Sequence, residues 1–586
     1  MYLEKIQSPN DVQKLSDDEL LELAKEMRSA LIQKASVTGA HLGPNLGVVE
    51  MTIALHRVFH SPVDKIVFDV SHQCYCHKML TGRAQAFLDE DMYATVSGYT
   101  NPEESEHDLF HVGHTATSVS LACGLAKARD CVQGTENIIA VIGDGALSGG
   151  EAYEGLNFAK ELGTNLIIIV NDNQMSIAEN HGALYDNLQL LRESDGKAEC
   201  NFFKALGLDY HFLRDGHDIF ALCELFEQVK DINHPVVLHI CTVKGKGYCF
   251  AEAEKEDWHF RPPFHIEDGD FRNHFNNENY DEIVYQFLNS KMHNDEKVVA
   301  VVAAVPLTIG FDENRRKAAG KQFVDVGIAE EHAVTMAAGI AKNGGKPVFA
   351  THASFFQRAY DQIAQDICIN KQPVTLLVRN ASVWGMNDLT HLGFFDIPLI
   401  SNIPNMVYLA PTNKEEYIAM LDWSIEQTDY PVAIRIPRNG VHHTSQPVET
   451  DYSRLNKNLL VKQGEKVAII ALGDFFQLGE SVCEELVQKT GIHASLINPR
   501  YITGVDVELL HSLLPTHELI ITLEDGVLAG GYGEKVASFL GTEEVKVKNY
   551  GLKKEFVDRY KPDHILQMNR LTPDLIVEDI CKILQK

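Results

Sequence analysis

From about residue 130 onward, short runs of β-branched and aliphatic residues alternate with stretches of helical period, the pattern of parallel strands joined by crossover helices. Asn137–Ile142 reads as a buried strand, Gly143-Asp144-Gly145 as the turn after it, the stretch through Glu151, Leu156 and Ala159 as a helix, and Leu166–Val170 as the next strand. One βαβ unit therefore covers about 137–170. Pro235–Ile240 predicts a further strand leading into Lys244-Gly-Lys-Gly-Tyr248, and the charged, Pro- and Gly-containing stretch Glu252–Asp270 reads as an exposed connection. A second series runs through Val298–Val305, Val324–Val326, a helix from about Glu330, Pro347–Ala350, a helix around Arg358–Ile369 and Val374–Val378, closing at Pro431–Arg438. Polar Asn439–Asn458 reads as a linker. A third series runs from Lys466–Leu472 to a helix near Leu575–Leu584. The fold class is α/β, with three α/β domains and mostly parallel sheets, at residues 1–296, 297–440 and 459–586.

Composition narrows the function. The chain has 586 residues and a net charge of −30, and its 45% hydrophobic and 23% charged content is globular rather than disordered or fibrous. So acidic a surface is unsuited to nucleic acid, whose recognition needs basic faces that displace counterions. There is no run of about 18 apolar residues and no basic start followed by an apolar stretch, so we expect neither export nor a membrane anchor. The 11 cysteines are scattered, and Cys74 and Cys76 lack the spacing of a redox or zinc pair, so they read as reduced thiols of a cytoplasmic protein.

The chemistry gathers at Gly143-Asp144-Gly145 and Asn171-Asp172-Asn173, at the ends of consecutive predicted strands. In a parallel sheet both ends open on one edge, so the Asp144 carboxylate and the Asn173 amide oxygen can converge on one ion. Hard oxygen ligands suit Mg²⁺, which completes its shell from phosphates and water. Glycines beside Asp144 let the backbone approach a diphosphate, and the following helix can offer it amide N–H groups. Alone, Gly-Asp-Gly is also an ordinary strand-to-helix turn.

The longer phrase Val141-Ile-Gly-Asp-Gly-Ala-Leu-Ser-Gly-Gly150, with Asn171-Asp-Asn-Gln-Met-Ser-Ile177, resembles the thiamine-diphosphate motif of the transketolase-like superfamily. That resemblance implies that Asp144, Asn173 and the Met175 carbonyl hold Mg²⁺ while Gly145 and Ala146 lie against the diphosphate. Asp325-Val-Gly-Ile-Ala-Glu-Glu-His-Ala-Val-Thr335 resembles the superfamily's Glu-bearing helix start. Glu330 would then bond the aminopyrimidine and favour the tautomer that removes the thiazolium proton. Further phrases are similar to the 1-deoxy-D-xylulose-5-phosphate synthase family: His41-Leu-Gly-Pro-Asn-Leu-Gly47, Asp69–Lys78 with Thr81-Gly-Arg83, Gly113-His-Thr-Ala-Thr-Ser118, Asp215-Gly-His-Asp218, Lys244–Tyr248, Gln357–Gln362, Thr390-His391, Ile436-Pro-Arg438 and Glu524-Asp-Gly526 with Gly530–Glu534.

The family joins the two-carbon unit of pyruvate to glyceraldehyde 3-phosphate with loss of CO₂. The resemblance implies a homodimer whose three domains bind the diphosphate and Mg²⁺, bind the pyrimidine, and form a transketolase-like C-terminus. It also implies catalytic roles for His41, His72, His259, His391 and Glu330. Cofactor contacts would come from His72, Gly113, His114, Thr115, Gly145, Ala146, Asn173, Tyr248, Glu330 and Phe355. Substrate-phosphate contacts would come from Arg358, Arg438 and Arg379.

The chain departs from the family on the acceptor side. Where the family reads Asp-Arg-Ala-Gly, this chain reads Arg379-Asn380-Ala381-Ser382, so either Asn380 replaces a phosphate-binding Arg or Arg379 is that residue behind an insertion. An acceptor-site Tyr is His352 here, and an Asp is Asn387. The segment after Leu184 is also short, with only Tyr185–Arg214 before Asp215-Gly-His-Asp218. Two alternatives stay open: a transketolase-like carboligase with another donor or acceptor, and a non-catalytic paralogue that binds thiamine diphosphate.

Overall fold

A computed structural model describes residues 1–273 and 278–585. The chain divides into two compact units, Met1–Asn276 with Gly327–Ala329, and Asn277–Val326 with Glu330–Lys586. Among the described residues no helix is long and apolar enough to cross a membrane.

The first unit is built on β1 (Lys65–Phe68), β2 (Ile138–Gly143), β3 (Leu166–Asp172), β4 (Asp209–Leu213) and β5 (Pro235–Cys241), in the order β1-β2-β3-β5-β4 and parallel throughout. The apolar runs of β2 and β3 follow from burial on both faces. Ile138, Ala140 and Ile142 enter one core cluster while Ile139 and Val141 enter another on the opposite face, as a period of two requires. The helix Gly150–Leu162 returns the chain from β2 to β3 and ends at Gly163, whose φ of 65° is the left-handed conformation common after a helix. This places the residues after β2 and β3 side by side at one sheet edge.

The second unit holds two sheets. One contains β6 (Val298–Val302), β7 (Phe323–Asp325), β8 (Lys346–His352), β9 (Thr375–Ala381), β10 (Val407–Leu409) and β11 (Val432–Pro437), in the parallel order β10-β11-β9-β8-β6-β7. The other contains β12 (Leu459–Lys462), β13 (Lys466–Ala471), β14 (Ser495–Asn498), β15 (His517–Val527) and β16 (Lys546–Leu552), in the order β12-β14-β13-β15-β16, with only β12 antiparallel. Val301 and Leu376 of the first sheet share one core cluster with Ala468 and Ile470 of the second. Asn439–Asn458 carries neither helix nor strand. The helix Tyr280–Asn294, which a boundary at 297 assigns to the first domain, packs with β6.

Three expectations are corrected. Glu252–Asp270 is not exposed throughout, because Trp258 and Phe264 are buried together with ring centroids 4.8 Å apart. Their apolar area outweighs the polar composition around them. β6 stops at Val302 rather than running to Val305, since Ala304 turns to φ 60° and gives its N–H to Asp325 Oδ1 at 2.9 Å. The helix expected around Arg358–Ile369 divides into a 3₁₀ turn (Phe356–Ala359), one α turn (Tyr360–Gln362) and a π-helix (Ile363–Ile369), with the break at Ala359 (φ −109°, ψ 20°).

The shared core of the second unit contains an ion cluster. Buried Arg435 on β11 donates from Nε to Asp396 Oδ2 at 2.7 Å and pairs through Nη1 with Asp525 on β15, while Tyr408 donates its hydroxyl to Asp396. Removing the guanidinium leaves two buried carboxylates uncompensated. Arg435→Leu is expected to destabilise the second unit by about 3–5 kcal/mol. Urea unfolding should show this as a lower midpoint, partly restored by adding Asp396→Asn and Asp525→Asn.

Candidate active site

The register Gly143↔Asn171 sets the ends of β2 and β3 level, and Asp144 donates its N–H to Asn171 O at 3.1 Å. Asp144 is 1% exposed. Its carboxylate accepts from Asn180 Nδ2 at 2.7 Å through Oδ2, yet Oδ1 is buried with no hydrogen-bond partner. Burial, and next the charge of Asp172, push the Asp144 carboxyl up. The buried oxygens Asn180 Oδ1 and Ser176 Oγ likewise have no hydrogen-bond partner. Asn173 Oδ1 accepts the Met175 N–H at 3.1 Å, closing the turn that carries Met175. A Cβ on Gly145 would stand 2.9 Å from Ser176 Cα, so only a bare backbone fits there. These oxygens and this backbone fit a hard cation with its diphosphate.

Asp172 behaves in the opposite way. Burial would raise it, but His239 Nε2 at 2.8 Å and an ion pair with Arg192 hold it below the usual carboxylate range, and Tyr210 donates to His239 Nδ1 at 2.8 Å. Asp172, His239 and Cys241 group three metal-type ligand atoms within 4.8 Å, but Arg192 already balances the charge there.

The structure brings His41, His72 and His259 together, with ring centroids 5.2 Å (41–72), 5.5 Å (41–259) and 5.2 Å (72–259) apart. Just before His72, Val70 (φ 56°) and Ser71 (φ 63°) take left-handed conformations, strain of a kind that gathers at functional sites. Burial, followed by the nearby Lys244, keeps His259 well below its usual pKa, so its ring is neutral. The Asp69 carboxylate accepts the N–H groups of Ala116 (2.8 Å) and Ser118 (2.9 Å), fixing the end of the loop that carries Gly113, His114 and Thr115. Tyr248 gives its hydroxyl to Ile266 O at 2.9 Å and packs edge-on to Trp258, so its ring belongs to the core.

In the second unit Glu330 opens the helix Glu330–Lys342 and is 3% exposed. Burial pushes its carboxyl up to about 7 although Arg358 Nε stands 3.8 Å from Oε2, and Oε2 has no hydrogen-bond partner. The Phe355 ring stacks on His352 at 5.1 Å and meets His391 edge-on at 5.4 Å. Burial, then the His391, Arg438 and Arg379 charges, lowers His352 to about 3, so it is neutral. His391 Nδ1 lies 3.0 Å from Asp388 Oδ1. Burial would raise Asp388, yet His391 and Thr390 hold it at about 2.

The structure answers the Arg379–Asn380 question locally. The Arg379 guanidinium donates from Nε to Thr308 O at 2.9 Å and pairs through Nη2 with Asp281, while its Nη1 is buried with no hydrogen-bond partner. Asn380, at φ 53°, turns its amide to within 3.4 Å of the His352 ring. The β11–β9 register shifts between Arg435 and Pro437, and a left-handed residue at such a bulge re-aims a side chain. The charges of Arg438 and Arg379 both reach His352. Asn387 donates to Tyr560 O at 2.9 Å, and Arg438 is exposed.

Sequence reasoning named no role for Lys244, Asn180, Tyr185, Arg192 or Asp388. Lys244 is 1% exposed, gives Nζ to Ser176 O at 2.6 Å, and is lowered by burial to about 7 despite the opposing charge of Asp144. Lys244 stood inside a quoted phrase, so position was a signal; Asn180, Tyr185 and Arg192 carried none, because their partners are distant in sequence.

Residues 3–201 and 194–242 match the 1-deoxy-D-xylulose-5-phosphate synthase family, 278–443 the transketolase pyrimidine binding domain and 456–576 the transketolase C-terminal domain. The chain is 39% identical to the 1-deoxy-D-xylulose-5-phosphate synthase of Alkaliphilus oremlandii, over 99% of each chain. It is 38% identical to that of Clostridium acetobutylicum, over 99% of this chain and 98% of the other. The crystal structure of Campylobacter jejuni transketolase is similar at 17% identity and a TM-score of 0.45, covering 97% of this chain and 100% of that one.

Glu330 has a pH signature of its own. Its folded pKa of about 7 lies above the ordinary 4.5, so the stability it contributes is present below 4.5 and is lost as pH rises through 7. Glu330→Gln removes this dependence. The ligand-free variant should gain up to roughly 3 kcal/mol on the wild type between about pH 5 and pH 8, read from urea midpoints.

Proposed function

Since the chain belongs to the 1-deoxy-D-xylulose-5-phosphate synthase family, we propose that it condenses pyruvate with glyceraldehyde 3-phosphate, releasing CO₂ and forming 1-deoxy-D-xylulose 5-phosphate, with thiamine diphosphate and Mg²⁺ as cofactors. The observation that carries the reading is a pair of buried carboxyl groups, Asp144 and Glu330, each with one oxygen lacking a hydrogen-bond partner at the position where the family motif needs a ligand. A solely structural carboxyl is ordinarily satisfied when buried.

Thiamine diphosphate supplies, when bound, a nucleophilic carbon and an electron sink for loss of CO₂. Asp144, Asn173 and the Met175 carbonyl would hold Mg²⁺, with Gly145 and Ala146 against the diphosphate and His72, Gly113, His114 and Thr115 as further contacts. Glu330 holds a proton at its carboxyl for the aminopyrimidine, and a group that titrates near 7 can both give and take it at neutral pH. His41, His72 and His259 form a clustered set of imidazoles for proton transfer to and from the donor. At His391, the Asp388 carboxylate favours a proton on Nδ1 and leaves Nε2 as the acceptor. Phe355 meets the His391 ring edge-on, and Tyr248 supports the cofactor end from the core.

Arg358 and Arg438 would bind the acceptor phosphate, and Arg379, whose Nε and Nη2 engage Thr308 and Asp281 but whose Nη1 is unpartnered, is the third candidate. One missing charged contact weakens phosphate binding by about 1.5–3 kcal/mol, tenfold or more. Asn380 beside His352 therefore favours, as a second reading, a carboligase that keeps pyruvate and takes another aldehyde. We further read the protein as a cytoplasmic homodimer.

With Mg²⁺ and thiamine diphosphate, purified protein should release CO₂ from pyruvate at a rate raised by glyceraldehyde 3-phosphate, with deoxyxylulose phosphate identified by mass. CO₂ release without that product selects the second reading. Glu330→Gln should retain cofactor binding and lose at least about 100-fold in turnover; turnover that survives refutes the assigned role of Glu330.

A further inference from the structure

The short segment after the metal motif is a helix, Ala183–Glu193, rather than an open loop. Leu188 and Leu191 are fully buried in the core that also holds Ile138, Ile142 and Val170, so the helix is seated on the sheet. Tyr185 and Arg192 lie seven residues apart, two turns along one face. The Tyr185 hydroxyl reaches Asp144 O at 3.3 Å and Gly145 O at 3.2 Å. Arg192 pairs with Asp172. Asn180, just upstream, donates to Asp144 Oδ2 at 2.7 Å.

One face of one helix thus grips both halves of the metal motif: the turn after β2 through its carbonyls, and the end of β3 through Asp172. We propose that Tyr185 and Arg192 are positioning residues for the Mg²⁺–diphosphate site, and that the helix Ala183–Glu193 is a fixed strap holding that motif in its binding geometry. The physical reason lies in the peptide units. Holding the carbonyls of Asp144 and Gly145 on the strap side fixes the peptides that follow them, so the N–H groups of Gly145 and Ala146 keep their direction. Arg192 balances the Asp172 charge, which otherwise adds to the repulsion at Asp144.

This inference rests on the proposed cofactor, and binding rather than turnover tests it. Isothermal titration of thiamine diphosphate into ligand-free protein at saturating Mg²⁺ should give a Kd raised about 3–10-fold by Tyr185→Phe. Arg192→Met should raise it about tenfold or more, with partial recovery in Arg192→Lys. Circular dichroism and melting of the ligand-free variants report folding separately. Folded Tyr185→Phe and Arg192→Met proteins that bind as tightly as wild type overturn the strap. A wild-type protein that does not bind thiamine diphosphate overturns the proposed function itself, and the strap with it.

Discussion

Two carboxylates stand buried at the ends of adjacent parallel strands, and the first unit is arranged around their repulsion. Asp172 is neutralised from within, by Arg192 and by a His239 that Tyr210 holds in place. Asp144 is not, and the orphan oxygen on it is what remains after the protein has balanced the rest. Burying a charge without a partner costs several kcal/mol, which is why burial pushes the Asp144 carboxyl up and why its buried oxygen fits a cation. The parallel sheet makes the arrangement possible by bringing two loops to one edge, and the bare backbone at Gly145 leaves room beside it.

The second unit shows a comparable separation of roles among its ionisable groups. Arg435 is placed between Asp396 and Asp525 and joins two sheets that share one core. Its charge is structural. Glu330 is only partly compensated by Arg358 at 3.8 Å, so burial dominates and the carboxyl titrates near neutrality. A group in that state exchanges protons readily, whereas a fully paired carboxylate such as Asp388 stays ionised and orients its partner instead.

Around His352 neutral polar groups stand within reach of positive charge on His391, Arg438 and Arg379. His352 is discharged by burial and by neighbouring positive charge, Asn380 has no charge, and the Arg379 guanidinium faces Asp281. In a chain of net charge −30, holding a phosphate needs concentrated local cations, and the Arg438 and Arg379 charges both act on His352.

The sequence alone determined the alternating α/β order, the strands that end at Asp144 and Asn173, and the helix that begins at Glu330, because each depends on local periodicity and on residues adjacent in the chain. The family phrases also carried the histidines that meet as rings, although spacing in the chain did not say that His41, His72 and His259 would touch. Tertiary structure alone decided which of Arg379 and Asn380 faces His352, since a bulge and a left-handed φ re-aim side chains without any hydrophobic signature. It likewise decided that Trp258 and Phe264 pull a polar-looking stretch into the core, and that Tyr185 and Arg192 reach back to Asp144, Gly145 and Asp172. Charge balance in a buried site is a sum over neighbours far apart in the chain, and that sum exists only once the chain is folded.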